Sequence, residues 1–200
     1  MPSSTQPIVL IMGCQKYRAS LLAAMARTCN SAYRTIGLIG GAEDSFDGSL
    51  LTLRVEDSYE FLPRKVQAAF RWINANFAET EGVFKTDDDI FFADQSELVS
   101  QIVARVSIPY WGVFVSHTSG GVVDRKRILM GENHEIEATY QAAVYCYGHG
   151  YWISKEAIPL VCASTEHATD FLEDVTMGFV MNRAGHVPLH VCIPYSERPR

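Results

Sequence analysis

Apolar residues in this chain recur with two periods that alternate through its first half. Ile8-Val-Leu-Ile-Met12 is a short continuous apolar run closed by Gly13, the pattern of a strand buried on both faces. Arg18 to Cys29 is rich in Ala and Leu and reads as a helix. Thr35 to Ile39 is a second strand ended by Gly40-Gly41, and Leu50 to Val55 is a third, after a loop of Gly, Asp and Ser. Pro63 marks a helix start, and Val66, Phe70, Ile73 and Phe77 share one face of that helix. Val83-Phe84 begins another strand, with Ile90-Phe91-Phe92 as its continuation or a neighbour. Ser96 to Val106 is then a helix, with Leu98, Ile102 and Val106 at helical spacing. This order predicts an α/β fold: a mostly parallel mixed sheet, helices on both faces, and ligands beyond the carboxyl ends of the strands.

The second half is less regular. Tyr110 to Val115 reads as a strand, Ser116 to Gly121 as a polar loop and Arg125 to Met130 as a further strand. Tyr145 to Ser154 sets aromatic residues around Gly148 and Gly150. Ser154 is expected to cap a helix toward Val161, made irregular by Pro159. Phe171 to Arg183 is a helix closed by Gly185, Val187 to Ile193 a last strand, and Pro194 to Arg200 a loose tail.

With 200 residues, 48% of them hydrophobic and 20% charged, the chain can bury a substantial core as a single domain. A net charge of −6 argues against nucleic acid as a partner, and Arg125-Lys126-Arg127 is too small a cluster to reverse that. Five cysteines without a C-x-x-C pair favour free thiols in a reducing compartment. The first apolar run is too short to span a membrane or to serve as a signal, so a soluble, cytoplasmic protein is expected.

Candidate chemistry centres on Asp87-Asp88-Asp89. Three adjacent carboxylates between two apolar runs repel one another, and a hard divalent cation such as Mn²⁺ or Mg²⁺ relieves that repulsion and can grip a diphosphate. The plainer alternative is an acidic turn at a strand end. Glu173-Asp174 opens a helix, where acids either complement the dipole or supply a general base. Gly148 and Gly150 allow close backbone approach to a ligand, or else mark a bulge in a buried aromatic strand.

Taken in order, these segments resemble glycosyltransferase family 31, inverting enzymes of GT-A fold. Asp57-Ser-Tyr-Glu-Phe-Leu-Pro-Arg-Lys65 with Trp72 looks like the family's D-x-Y-x-N-L-x-x-K…W segment, with Phe61 at the usual Asn. Lys85-Thr-Asp-Asp-Asp-Ile-Phe is close to K-x-D-D-D-V-F, Tyr145 to Ser154 to Y-x-x-G-x-G-Y-x-x-S, and Glu173-Asp174-Val175 with Gly178 to E-D-V-x-x-G. The R-x-x-W spacing and the family's membrane anchor are absent, so a compact soluble form is expected. The resemblance implies transfer of a hexose-type sugar from a UDP-sugar to a hydroxyl of a glycan or glycoconjugate acceptor. It divides the GT-A domain into a donor half, about residues 1–106, and an acceptor and catalytic half, about 107–193. Metal ligands would be Asp87, Asp89 and His190, with His186 second to His190. Donor contacts would come from Asp87, Asp88, Lys65, Arg18, Gly13, Gly148, His149 and Gly150. Asp174 would be the general base and Glu173 its neighbour. Two other classes compete: a two-metal phosphoryl or nucleotidyl transferase, and a non-catalytic carbohydrate-binding domain.

Overall fold

A computed structural model describes residues 5–116, 144–165, 167 and 172–197. In chain order the elements are β1 (Ile8–Met12), a 3₁₀ turn (Gln15–Tyr17), α1 (Arg18–Thr28), β2 (Arg34–Gly40), β3 (Ser45–Phe46), β4 (Leu50–Leu53) and α2 (Leu62–Asn76). There follow β5 (Gly82–Asp87), β6 (Ile90–Phe92), α3 (Gln95–Ala104), β7 (Tyr110–Ser116) and β8 (Val144–Ser154). Then come α4 (Ile158–Ala163), α5 (Glu173–Arg183), β9 (Leu189–His190) and β10 (Tyr195–Glu197). The predicted strand over 125–130 and the loop over 117–121 lie outside the described residues.

One sheet runs β3-β4-β2-β1-β5-β8-β7-β9. The β4-β2-β1-β5 block is parallel, whereas β8 is antiparallel to both β5 and β7. The expected alternation thus holds as a mostly parallel mixed sheet. Every residue of β1 is buried. Ile8, Leu10 and Met12 join the core built with Val66 and Phe70 of α2, Ile158 of α4 and Met177 of α5. Val9 and Ile11 join the opposite core with Leu21 and Ala24 of α1 and Leu98 and Ile102 of α3. The period of two along a strand therefore feeds two helical layers.

Four local expectations change. Ile90–Phe92 does not continue β5. It pairs antiparallel with Tyr195–Glu197, so part of the tail expected to be loose is a strand. Ser154 ends β8 with its side chain buried and does not cap α4, whose Pro159 sits in the first turn, where a missing N–H costs nothing. The helix expected over Ser96 to Val106 runs instead from Gln95 to Ala104, capped by Asp94, whose Oδ1 accepts from the Ser96 N–H at 2.8 Å. The last predicted strand shortens to Leu189–His190.

Candidate functional site

The carboxyl ends of β1 and β5 open onto a cavity of about 490 Å³, closed on the far side by β8 and the start of α5. Its lining includes Gly13, Asp57, Tyr59, Lys65, Lys85, Asp87, Tyr147, Gly148, His149, Glu173 and Asp174. This is the place the alternating pattern predicts for a ligand.

Strand geometry sets the site's electrostatics. Lys85 and Asp87 are two apart on β5, so both point toward α5. Lys85 is 1% exposed, and its Nζ lies 2.8 Å from Asp87 Oδ1 and 3.0 Å from Glu173 Oε2, while donating to the Gly148 carbonyl at 2.8 Å. Burial disfavours the Lys85 charge, but the two carboxylates outweigh it and its pKa is raised. Glu173, 4% exposed, also accepts a hydrogen bond from the Tyr151 hydroxyl. Burial raises its pKa against the opposing pull of Lys85.

Asp174 faces the cavity differently. Its Oδ1 accepts from the Val175 N–H at 2.8 Å, and its Oδ2 accepts from the Gly148 N–H at 3.2 Å. The first bond stays within the opening turn of α5, and the second ties the carboxylate to β8, across the cavity wall. Burial raises the Asp174 pKa, opposed by Lys85 and by both N–H groups. The helix approaches β8 this closely because of Gly178, where a Cβ would lie 2.4 Å from Tyr145 Cβ.

The sequence-predicted residues divide into two groups. Gly13, Lys65, Asp87, Gly148, His149, Glu173 and Asp174 meet at the cavity, whereas Arg18, Asp88, Asp89, Gly150 and His190 are not among its lining residues. Lys65 is 2% exposed, its Nζ held by Gly13 O at 2.8 Å and Asp57 Oδ1 at 2.7 Å. Asp57 also accepts from the N–H groups of Gln15 and Gly40, so the pair ties together the chain leaving β1 and β2. Arg18 is an exposed residue at the start of α1. Asp88 is buried, and its N–H donates to Met12 O at 3.0 Å, which anchors the acidic turn to β1. Gly150 packs under Phe84, where a Cβ would meet the ring at 2.8 Å. His190 is exposed and pairs with Gly112. His149 Nδ1 lies 2.8 Å from the Tyr195 hydroxyl.

Among the described residues no group of three or more His, Cys, Asp or Glu side chains converges as a metal cage. Asp87 ends β5 at the cavity, whereas Asp89 lies in the turn beyond it and is not among the lining residues. Mg²⁺-type ions are commonly held by one or two carboxylates plus substrate phosphates, and Asp87, with one oxygen paired to Lys85, is the acid of the triplet that lines the cavity. All five cysteines are free thiols. No helix among the described residues is long and apolar enough to cross a membrane.

Lys85 and Tyr151 hold the Glu173 carboxylate, and pattern reading gave neither of them a role. A lysine inside the run Val83-Phe84-Lys85 is itself the signal, because a lysine in a strand buried on both faces must have partners.

Comparison with known proteins adds the following. A family model described as Galactosyltransferase matches residues 39–191. Beta-1,3-galactosyltransferase 4 of Rattus norvegicus is 25% identical over 178 residues, covering 74% of this chain and 48% of that protein. The chain therefore spans about half the length of this curated relative. Among solved structures, a 4-diphosphocytidyl-2C-methyl-D-erythritol synthase superposes with a TM-score of 0.50 at 13% identity, covering 95% of this chain and 90% of its own. That likeness is one of fold. A Mycobacterium tuberculosis H37Rv protein, Rv0371C in complex with manganese, gives 0.49 at 13% identity over 96% of this chain and 92% of its own, too loose to argue from.

Proposed function

Because the chain belongs to the Galactosyltransferase family, we propose that it is an inverting glycosyltransferase that moves a hexose from a UDP-sugar to an acceptor hydroxyl, with Asp174 as general base. The observation that carries this assignment is the unequal state of the two neighbouring acids. Glu173 is buried and its carboxylate is spent on Lys85 and Tyr151, which leaves Asp174 as the carboxylate of the pair that can meet an acceptor. In this reading Asp174 takes the proton from the acceptor hydroxyl. The hydroxyl oxygen then bonds to the anomeric carbon from the face opposite the diphosphate, and the bond from that carbon to the phosphate oxygen breaks. A single displacement inverts the centre and needs no enzyme nucleophile.

The donor belongs in the first half of the chain, where Gly13 and Asp87 border the cavity at the ends of adjacent strands. Lys65 supports this region by holding Gly13 and Asp57 in place. Mn²⁺ or Mg²⁺, held by Asp87 and Asp89 and completed by donor oxygens, would stabilise charge on the departing diphosphate. His190 is the candidate for a further ligand. Lys85 places one positive charge between the donor-side Asp87 and the acceptor-side Glu173, and so fixes the two halves relative to each other.

The test is incubation with a panel of UDP-hexoses and simple glycoside acceptors in Mn²⁺, with UDP release and product NMR as readouts. Transfer with inverted anomeric configuration is the expected result. Retained configuration, or release from a nucleoside triphosphate in place of a UDP-sugar, overturns the reading.

A further inference from the structure

The cavity has an aromatic wall that the proposed displacement leaves unused. The Tyr147 ring stacks on His149 (centroids 5.5 Å apart, planes at 25°) and meets Tyr145 edge-on at 6.4 Å. His149 is braced from the C-terminal strand: its Nδ1 is 2.8 Å from the Tyr195 hydroxyl, and its Nε2 is 3.3 Å from Glu197 Oε1. The backbone beneath is pinned at three points. Gly148 N–H donates to Asp174, Gly148 O accepts from Lys85, and His149 O accepts from the Thr86 hydroxyl at 2.6 Å. Tyr147 itself is 39% exposed, so it presents an aromatic surface while its mounting is rigid.

We propose that Tyr147 and His149, braced by Tyr195 and Glu197, form the subsite that stacks on the acceptor's sugar ring and presents its hydroxyl to Asp174. This rests on the glycosyltransferase reading above and adds to it a location for the acceptor. A pyranose has apolar C–H faces and a polar rim. An aromatic platform beside a carboxylate matches both, and the peptide N–H held by Asp174 lies between Tyr147 and His149 in the chain. A nucleobase could also stack on aromatic rings. The sheet order argues against it here, because β5 with Asp87 separates β1, which the donor-side Gly13 directly follows, from β8, which carries Tyr147.

The experiment uses the full chain with methyl β-D-galactopyranoside and methyl β-D-glucopyranoside as probes, read by saturation-transfer NMR with and without UDP. The UDP-induced thermal shift in Mn²⁺ is measured in parallel as the donor-side readout. Saturation of the ring C–H protons is expected in the wild type. Tyr147→Ala should weaken glycoside binding by roughly tenfold, Tyr147→Phe should retain it, and both should keep the UDP shift. Tyr195→Phe, which removes the hydroxyl holding His149, should lower the glycoside signal in part. Because Tyr147 is exposed, its truncation leaves the core intact, and an unchanged melting temperature checks this. Glycoside contact in the wild type without any UDP shift would sink the donor assignment and leave the platform standing. An absence of glycoside contact in the wild type, a Tyr147→Ala signal equal to wild type, or loss of the UDP shift alone in Tyr147→Ala would each overturn the platform.

Discussion

At the scale of single residues, two neighbouring acids in one helical turn have different fates, and each supports a prediction. Asp174→Asn keeps the shape and hydrogen-bonding capacity of the side chain but removes the charge that accepts a proton. Transfer should fall by about 10²–10⁴-fold, while UDP binding, followed by calorimetry, stays close to wild type. Burial raises the Asp174 pKa, so ionisation of the base is lost on acidification at a pH above the ordinary aspartate value of 3.8. The acid limb of kcat/KM should therefore lie above that value, and a rate flat down to it would remove Asp174 from the role. Lys85 is a stability residue as well. Lys85→Met leaves Glu173 and Asp87 facing each other without a cation, and breaking a buried pair typically costs about 3–5 kcal/mol. Urea denaturation should show a loss of that order, and adding Glu173→Gln to Lys85→Met should recover part of it.

At the scale of elements, the site depends on how closely α5 approaches β8. Gly178 permits this, because any Cβ there would overlap Tyr145. Alanine is favoured over glycine inside a helix by roughly 1 kcal/mol, so propensity alone predicts that Gly178→Ala stabilises the protein. Overpacking a tight contact costs about 1–3 kcal/mol, and here the overlapping atoms are a Cβ and nearby backbone, which cannot swing aside. We expect a net loss of stability in urea together with reduced transfer, since the shift of α5 moves Asp174 from Gly148. A stabilised Gly178→Ala would show that helix and strand are less constrained than their geometry implies. The pairing of β6 with β10 matters in the same way, because it carries Tyr195 to His149 from the far end of the chain.

At the scale of the whole molecule, the sheet brings the two halves together at one set of strand ends. The first half of the chain supplies Asp87 and the second supplies Asp174, with Lys85 and Gly148 linking them. If Asp87 and Asp89 grip an ion along with the diphosphate, UDP should raise the melting temperature in Mn²⁺ and EDTA should remove that shift, since ligand bound to the native state alone adds stability. A UDP affinity unchanged by EDTA would rule the ion out of donor binding. His190→Ala should weaken the Mn²⁺-dependent shift if it supplies a further ligand, and leave it unchanged if donor oxygens and water complete the shell.

The parallel part of the fold was legible in the chain because each of its elements carries its own period. Ile8–Met12 is apolar throughout and is buried on both faces, and Val66, Phe70 and Ile73 mark one helix face that meets it. That the acids near β5 need partners was legible for a related reason: clustered carboxylates next to apolar runs demand a partner whatever the topology. The identity of that partner was not. Lys85 lies 88 residues from Glu173, and only the packing of α5 against β8 turns a buried lysine and a helix-start glutamate into an ion pair. The same holds for Lys65, whose charge is used by Gly13, just after β1, and by Asp57, in the segment between β4 and α2. It holds too for Tyr195–Glu197, a polar segment with no strand period that becomes a strand because β6 offers it an edge. Local pattern records what a residue can do at short range. Which carboxylate is spent on structure and which is left for chemistry depends on burial and pairing between distant segments, and those are settled only when the chain is packed.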